Sequence, residues 1–283
     1  MMFSFNKNNN TPASEEDLFY YCFPGLSRYK SLCHRIFTRN GGFSIPPYNS
    51  LNISYAVDDD PAYVDQNMIL VKQNTGAEQL IHMNQQHGKT VISLRHGKEA
   101  GREKIFDADA LVTDIPGVAV MVKQADCQGI ILFDPGKTVA AVVHSGWKGS
   151  VKNILGETVK RMNKDFNCSP EDIQAAIGPS LGPCCAEFKT YEEIFPDHFR
   201  EYMVGEFNFD FWAISERQLI NAGLKKSNIE IAGICTKCRT DIFFSYRDEG
   251  ITGRFATVAM IKPNSGSGEN YGSINLDHIQ FQK

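Results

Sequence analysis

Three short apolar runs in the middle of the chain, Val118–Val122, Ile130–Phe133 and Val139–Val143, limit what it can fold into more than any other feature. Each is rich in apolar or β-branched residues and bounded by Gly, Pro or Asp, the pattern of buried strands. After His144 and the segment Ser145-Gly146-Trp147-Lys148-Gly149-Ser150 the period changes. Val151, Ile154, Leu155, Val159, Met162 and Phe166 recur at helical spacing, Asn167–Pro170 ends that helix, and Ile173–Ile177 reads as a further strand. Strand, helix and strand with a crossover of that length make a βαβ unit.

The flanks fit the same class. Asp58-Asp59-Asp60-Pro61 reads as a helix start, with proline in the first turn, acids at the positive end, and Val64, Met68, Ile69 and Val71 as the expected inner stripe. A second helix is expected over Phe211–Ala222 with Gly223 as its stop, followed by strands at Ile229–Ile234 and Phe255–Ile261. Residues 1–17 are polar and Asn-rich and read as a loose tail. No repeat or linker divides residues 18–283, so the expectation is one α/β-type domain.

Composition narrows the function classes. A net charge of −4 gives no general attraction to nucleic acid or to anionic membrane surfaces. No window approaches the roughly 18 consecutive apolar residues of a spanning helix. The start of the chain lacks a basic-then-apolar secretory pattern, and eight cysteines are too sparse for a disulfide scaffold. The expectation is a soluble, cytoplasmic protein with reduced thiols.

Two of those strands place chemistry at their ends. Cys127 stands just before one apolar run and His144 closes the next, while Asn84-Gln85-Gln86-His87-Gly88 offers a second imidazole in a polar turn. A Cys/His/His set leaves one position of a zinc ion open, the stoichiometry of a catalytic site. From spacing alone, a surface His87 and a buried Cys127 thiol are the readier reading. Asp126 could orient a histidine ligand or simply cap a turn. Trp147 could stack on a flat ligand or seal a core edge. Lys148, Arg39, Arg247 and Arg254 are cations beside Gly or Ser, where an anion can come close. The neighbours Cys184 and Cys185 are expected to diverge, and Cys235-Thr236-Lys237-Cys238 lacks the second CxxC of a zinc ribbon. No HxE occurs, which removes the zinc-deaminase signature HxE…PCxxC.

Read together, the segments resemble one family. They are Phe37-Thr38-Arg39-Asn40-Gly41-Gly42-Phe43-Ser44, Leu51-Asn52-Ile53-Ser54, Gln86-His87-Gly88, Asp109-Ala110-Leu111-Val112-Thr113 and Ala125-Asp126-Cys127. His144-Ser145-Gly146-Trp147-Lys148-Gly149, Ile177-Gly178-Pro179-Ser180, Phe243-Phe244-Ser245-Tyr246-Arg247 and Thr252-Gly253-Arg254 continue the order. The chain resembles the multicopper polyphenol oxidase or laccase-domain family, reassigned as purine nucleoside phosphorylases with added adenosine deaminase activity. The resemblance implies a four-layer α/β/β/α sandwich of mixed sheets and one metal site, usually zinc with copper as the alternative, on His87, Cys127 and His144. It implies phosphorolysis of adenosine, inosine, guanosine and 5′-methylthioadenosine, and hydrolytic deamination of adenosine. Two departures stand out: Cys185-Ala186-Glu187-Phe188 where many members carry Cys-Tyr-Glu-Val, and Gln128-Gly129 where a proline commonly follows the ADC segment.

For such a reaction Arg39, Asn52 and Lys148 are candidates for phosphate and ribose contacts, with Trp147 beside them. Asp126 is the nearest candidate general acid. Three rivals remain open: a copper-dependent polyphenol oxidase, a metal-independent cysteine hydrolase using Cys127 with His144 as base, and a binding module with structural zinc. Seven histidines without an HxH pair speak against a coupled copper cluster.

Overall fold

The computed structural model describes residues 18–95 and 106–263. The tail expected at 1–17 and the polar stretch from 264 lie outside the described residues.

Two six-stranded sheets form the body. The first runs β1 (Tyr20–Tyr21), β2 (Leu32–Phe37), β12 (Phe255–Ile261), β7 (Val118–Gln124), β3 (Gln79–Asn84) and β5 (Phe106–Asp107). The second runs β11 (Ile229–Ile231), β10 (Gln174–Ile177), β8 (Gln128–Asp134), β9 (Val139–Ser145), β6 (Ala110–Thr113) and β4 (Val91–Leu94). Both sheets are mixed: β7 pairs antiparallel with β12 but parallel with β3, and β8 and β9 are antiparallel while β6 and β4 are parallel.

The central strands are apolar throughout because both of their faces are covered. In β8, Ile131 and Phe133 enter the layer between the sheets, where they meet the cluster containing Val120 and Val122 of β7 and Val142 of β9. The alternate residues Ile130 and Leu132 face outward and pack with Leu155, Val159 and Met162 of the helix Ile154–Phe166. Across the molecule, Ala256, Val258 and Met260 of β12 turn away from the inter-sheet layer toward Leu70 and Val71 of the helix Pro61–Thr75. Helix, sheet, sheet and helix therefore stack in four layers, the α/β/β/α sandwich that the family resemblance implies.

The βαβ expectation holds in direction but not in adjacency. β9 and β10 each pair antiparallel with β8, so they run parallel with β8 between them. The intervening helix crosses over that strand.

The helix Pro61–Thr75 starts and stops as its residues dictate: Asp60 accepts the N–H of Ala62, and Gly76 closes it at φ 69°. Its buried side is Val64, Asn67, Leu70, Val71 and Thr75, whereas Ile69 is 54% exposed. The expected stripe is thus corrected at Ile69. Asn67 takes the inner position because it is saturated with hydrogen bonds, donating to Ser44 Oγ and to the carbonyls of Ser50 and Asn52 and accepting from the Phe43 N–H. The second helix is Phe211–Asn221, with Gly223 at φ 102° just beyond it.

Candidate metal and catalytic site

Two connections between the sheets and one strand end deliver the site. His87 lies in the turn leading from β3 of the first sheet to β4 of the second. Cys127 sits in the crossing from β7 to β8, and His144 is the penultimate residue of β9. Their donor atoms all lie within 4.8 Å of one another. Cys127 Sγ is 4.0 Å from His87 Nε2, and the two imidazole rings stand nearly perpendicular at 83° with centroids 4.8 Å apart. Burial grades across the trio, from a buried His144 through an intermediate Cys127 to an exposed His87, so the cluster opens to solvent on one side.

Asp109 organises this arrangement. Its Oδ1 lies 2.9 Å from His144 Nδ1 and accepts the His87 backbone N–H at 2.9 Å, while Oδ2 accepts the Gly88 N–H at 2.7 Å. One fully buried carboxylate thereby fixes the orientation of one imidazole and the backbone of the other. With Nδ1 engaged, His144 keeps Nε2 for the cluster. The outer carboxylate on a histidine is thus Asp109, and the expectation for Asp126 is corrected. Asp126, at φ 84°, instead accepts Thr236 Oγ1 and Ser245 Oγ, both at 2.7 Å, and the Arg247 backbone N–H. Those bonds tie two loops to the residue before Cys127.

Gly146 leaves the space the trio needs. A Cβ there would meet Cys127 Sγ at 2.8 Å and His87 Cδ2 at 3.2 Å. The backbone at Gly146 has φ −82°, open to any residue, so the constraint is one of room rather than conformation.

Charge follows from this geometry. Burial alone pushes the Cys127 thiol up, but the imidazolium of His144 and hydrogen bonds from both histidines outweigh it and bring it down to about 6. Burial disfavours charge on His144, yet the Cys127 thiolate and the Asp109 carboxylate raise it to about 9. Each group thus favours the charged form of the other, a thiolate beside an imidazolium. Two imidazole nitrogens and one thiolate also suit a borderline-soft ion such as zinc. A tetrahedral zinc would hold sulfur and nitrogen about 3.6 Å apart, so only a slight contraction from the observed separation is needed.

The other expected residues divide sharply. Arg39 is buried and committed: it bonds Glu249 at 2.8 Å and the carbonyls of Asn49 and Thr240, and lies 4.5 Å from the Phe244 ring centroid. Asn52 is fully buried, with its amide bonded to Asp59, Ser54 and the Arg254 N–H. Both build loops rather than present donors to solvent. Trp147 packs edge-on against Phe195, 5.9 Å between centroids, at the margin of an aromatic cluster. Lys148 is exposed, its ammonium 5.4 Å from the Trp147 ring centroid. Arg254 is the cation that feels the site. Burial lowers its pKa, and the charges of Cys127 and Asp126 act in the opposite sense. Its guanidinium lies 5.7 Å from the ring centroid of Tyr246, which is exposed.

Comparison with known proteins follows the same lines. The family model described as multi-copper polyphenol oxidoreductase laccase matches residues 33–262. The chain belongs to this family. Among relatives of this laccase-like family, a Bacteroides thetaiotaomicron protein named purine nucleoside phosphorylase is 30% identical over 258 residues, 84% of this chain and 95% of that one. A Deinococcus radiodurans protein of the same name is 34% identical over 83% of this chain and 92% of its own length. Purine nucleoside phosphorylase YfiH of Escherichia coli is 31% identical over 78% and 90%. The crystal structure of YlmD from Geobacillus stearothermophilus superposes with a TM-score of 0.76 at 26% identity, covering 92% of this chain and 99% of YlmD. A Bacillus licheniformis hypothetical protein YfiH, at 24% identity and a TM-score of 0.77, shares the fold over 90% and 98%.

Proposed function

We propose that the chain is a zinc-dependent purine nucleoside phosphorylase, with His87, Cys127 and His144 as the metal ligands. The observation that carries this reading is the convergence of those three donors around the Asp109 tether, in a family whose relatives are named for that activity. The reaction breaks the bond between the purine and C1′ of the ribose, forms a bond from phosphate oxygen to C1′, and sends a proton to the departing base. Zinc, when bound, supplies a Lewis acid at the open side of the trio.

The chain's own residues set the conditions. Asp109 holds His144 and the His87 backbone so that the donors need little rearrangement. Arg254, whose charge interacts with that of Cys127, offers phosphate the guanidinium donors that its Nη1 does not spend on the Thr252 and Gly253 carbonyls, with Lys148 as the exposed partner. Tyr246, exposed and next to Arg254, gives a flat surface for a base or sugar, a role Trp147 shares at the edge of its aromatic cluster. Asp126 has its oxygens taken by three donors, which suits bracing the loops better than giving up a proton. Arg39 and Asn52 support the wall from behind. Adenosine, inosine, guanosine and 5′-methylthioadenosine are the proposed substrates, and adenosine deamination the proposed second activity.

The test is phosphate-dependent release of hypoxanthine from inosine and of adenine from adenosine, run on metal-replete protein and on His87→Ala and Cys127→Ala. Loss in both variants supports the assignment. Metal-replete wild-type protein that turns over no purine nucleoside with phosphate overturns it.

A second reading has its own observation. Asp109, His144 and Cys127 also form an acid–imidazole–thiolate relay of the kind that serves nucleophilic catalysis. It needs no metal, so full activity after exhaustive chelation would favour it. A coupled copper oxidase is less well supported, because among the described residues only two histidines enter a shared donor cluster.

A further inference from the structure

The second group of metal-capable side chains lies in a different place. Cys184, Cys185, Cys235 and Cys238 have all four Sγ atoms within 4.8 Å of one another. Cys184 and Cys185 each place Sγ 3.6 Å from Cys238 Sγ. Adjacent cysteines diverge in extended backbone, but here the chain is folded back: the N–H groups of Cys185 and Ala186 both bond the Gly182 carbonyl at 2.9 Å. That turn aims both sulfurs the same way. Cys235 and Cys238 come from the loop after β11, where a short 3₁₀ turn over Lys237–Arg239 carries Cys238 round to face Cys235. Gly182 makes the close approach possible and donates its N–H to Cys235 Sγ at 3.3 Å.

We propose that these four cysteines bind a single zinc ion as a closed tetrathiolate site that locks the loop after β10 to the loop after β11. A zinc with four sulfurs at about 2.3 Å has edges of about 3.8 Å between sulfurs, close to the spacing in place. The four are free thiols rather than disulfides, and soft sulfur donors without nitrogen or oxygen select zinc over harder cations. Two of the four are exposed, which gives the ion an entry path. With all positions filled by protein, the site is structural, unlike the three-donor cluster at Cys127.

Its location gives it a purpose. The same two loops are already stitched by a bridge between Ser180 and Cys235 and by the Thr236 N–H on the Ser180 carbonyl at 3.0 Å. The next contacts reach the first site: Thr236 Oγ1 bonds Asp126, and the Leu181 N–H bonds the Asp126 carbonyl at 2.9 Å. A zinc at the four thiols would therefore stiffen the wall against which Cys127 is held.

The experiment is metal analysis of full-length protein purified under reducing conditions without chelator, beside Cys184→Ser/Cys238→Ser and His87→Ala. Two zinc equivalents in wild type, falling to one in each variant, is the expected result. Cobalt-loaded wild type should show a strong ultraviolet thiolate charge-transfer band that survives His87→Ala and largely disappears in the cysteine variant. If the cysteine variant fails to fold, the cobalt spectrum of wild type and His87→Ala alone decides. Equal metal content in wild type and cysteine variant, a cobalt band lost with His87→Ala, or disulfides among these four thiols by mass spectrometry would overturn the proposal. A zinc content left unchanged by His87→Ala bears only on the first site, so the two readings fail separately.

Discussion

Asp109 and His144 are joined through a 2.9 Å contact between Oδ1 and Nδ1, both side chains being shut off from solvent. The pairing fixes which imidazole nitrogen faces Cys127, and it leaves Asp109 below its ordinary pKa. Burial alone would raise that carboxyl, but hydrogen bonds from His144, Gly88 and His87 prevail.

Asp109→Ala removes that tether. Outer-shell partners of this type are worth about 10–100-fold in metal affinity. We expect a loss of that size by competition with a chromophoric chelator, with the far-ultraviolet circular dichroism unchanged. An affinity within twofold of wild type would show that the histidines are held without it.

Gly146→Ala should close the trio without harming the backbone, since Cβ would crowd Cys127 Sγ at 2.8 Å. The expected outcome is loss of the metal retained by His87, Cys127 and His144, with a melting temperature near that of the metal-free wild type. A variant that retains this metal at wild-type affinity would contradict the crowding.

His34 on β2 is 5% exposed and accepts the Phe23 N–H at 2.9 Å through Nε2. Burial depresses its pKa to about 4 from an ordinary 6.5. The unfolded chain therefore binds a proton that the folded one refuses, and stability present above about pH 6.5 is lost as pH falls toward 4. Between pH 7 and pH 5 the loss from this group is about 2 kcal/mol. Urea melts at both values should show a smaller acid penalty in His34→Gln, which keeps an acceptor for Phe23. An identical penalty would mean that the imidazole reaches solvent.

Asn67→Leu keeps the branched shape of the side chain but strands the Phe43 N–H and its other partners. A cost of about 2–4 kcal/mol in urea unfolding is expected, because several buried groups lose their partner at once. A change under about 0.5 kcal/mol would mean that water replaces the amide.

The central strands were legible because both faces of a covered sheet must be apolar, and the helix ends because Asp60, Gly76 and Gly223 carry their own signals. Sheet order was not legible: β3 lies parallel to β7 and β4 to β6, pairings that no local pattern encodes. The strands β3 and β4 themselves, broken by His82, Asn84 and Ser93, gave no clean run. At the site, His87, Cys127 and His144 stand out by chemistry, whereas nothing local distinguishes Asp109 from Asp126. Arg39 looked available for phosphate because glycine and serine follow it. Only the fold shows Glu249, 210 residues away, already paired with it. Cys184 and Cys185 depart from the expected divergence for a related reason, since that rule assumes extended backbone and theirs is a turn.

Since His87 and Cys127 hang on two different passages between the sheets while His144 belongs to a strand of the second, neither sheet possesses the cluster by itself. Its assembly must come late in folding, after the sheets have docked in register. A chain halted earlier would carry all three donors and grip nothing.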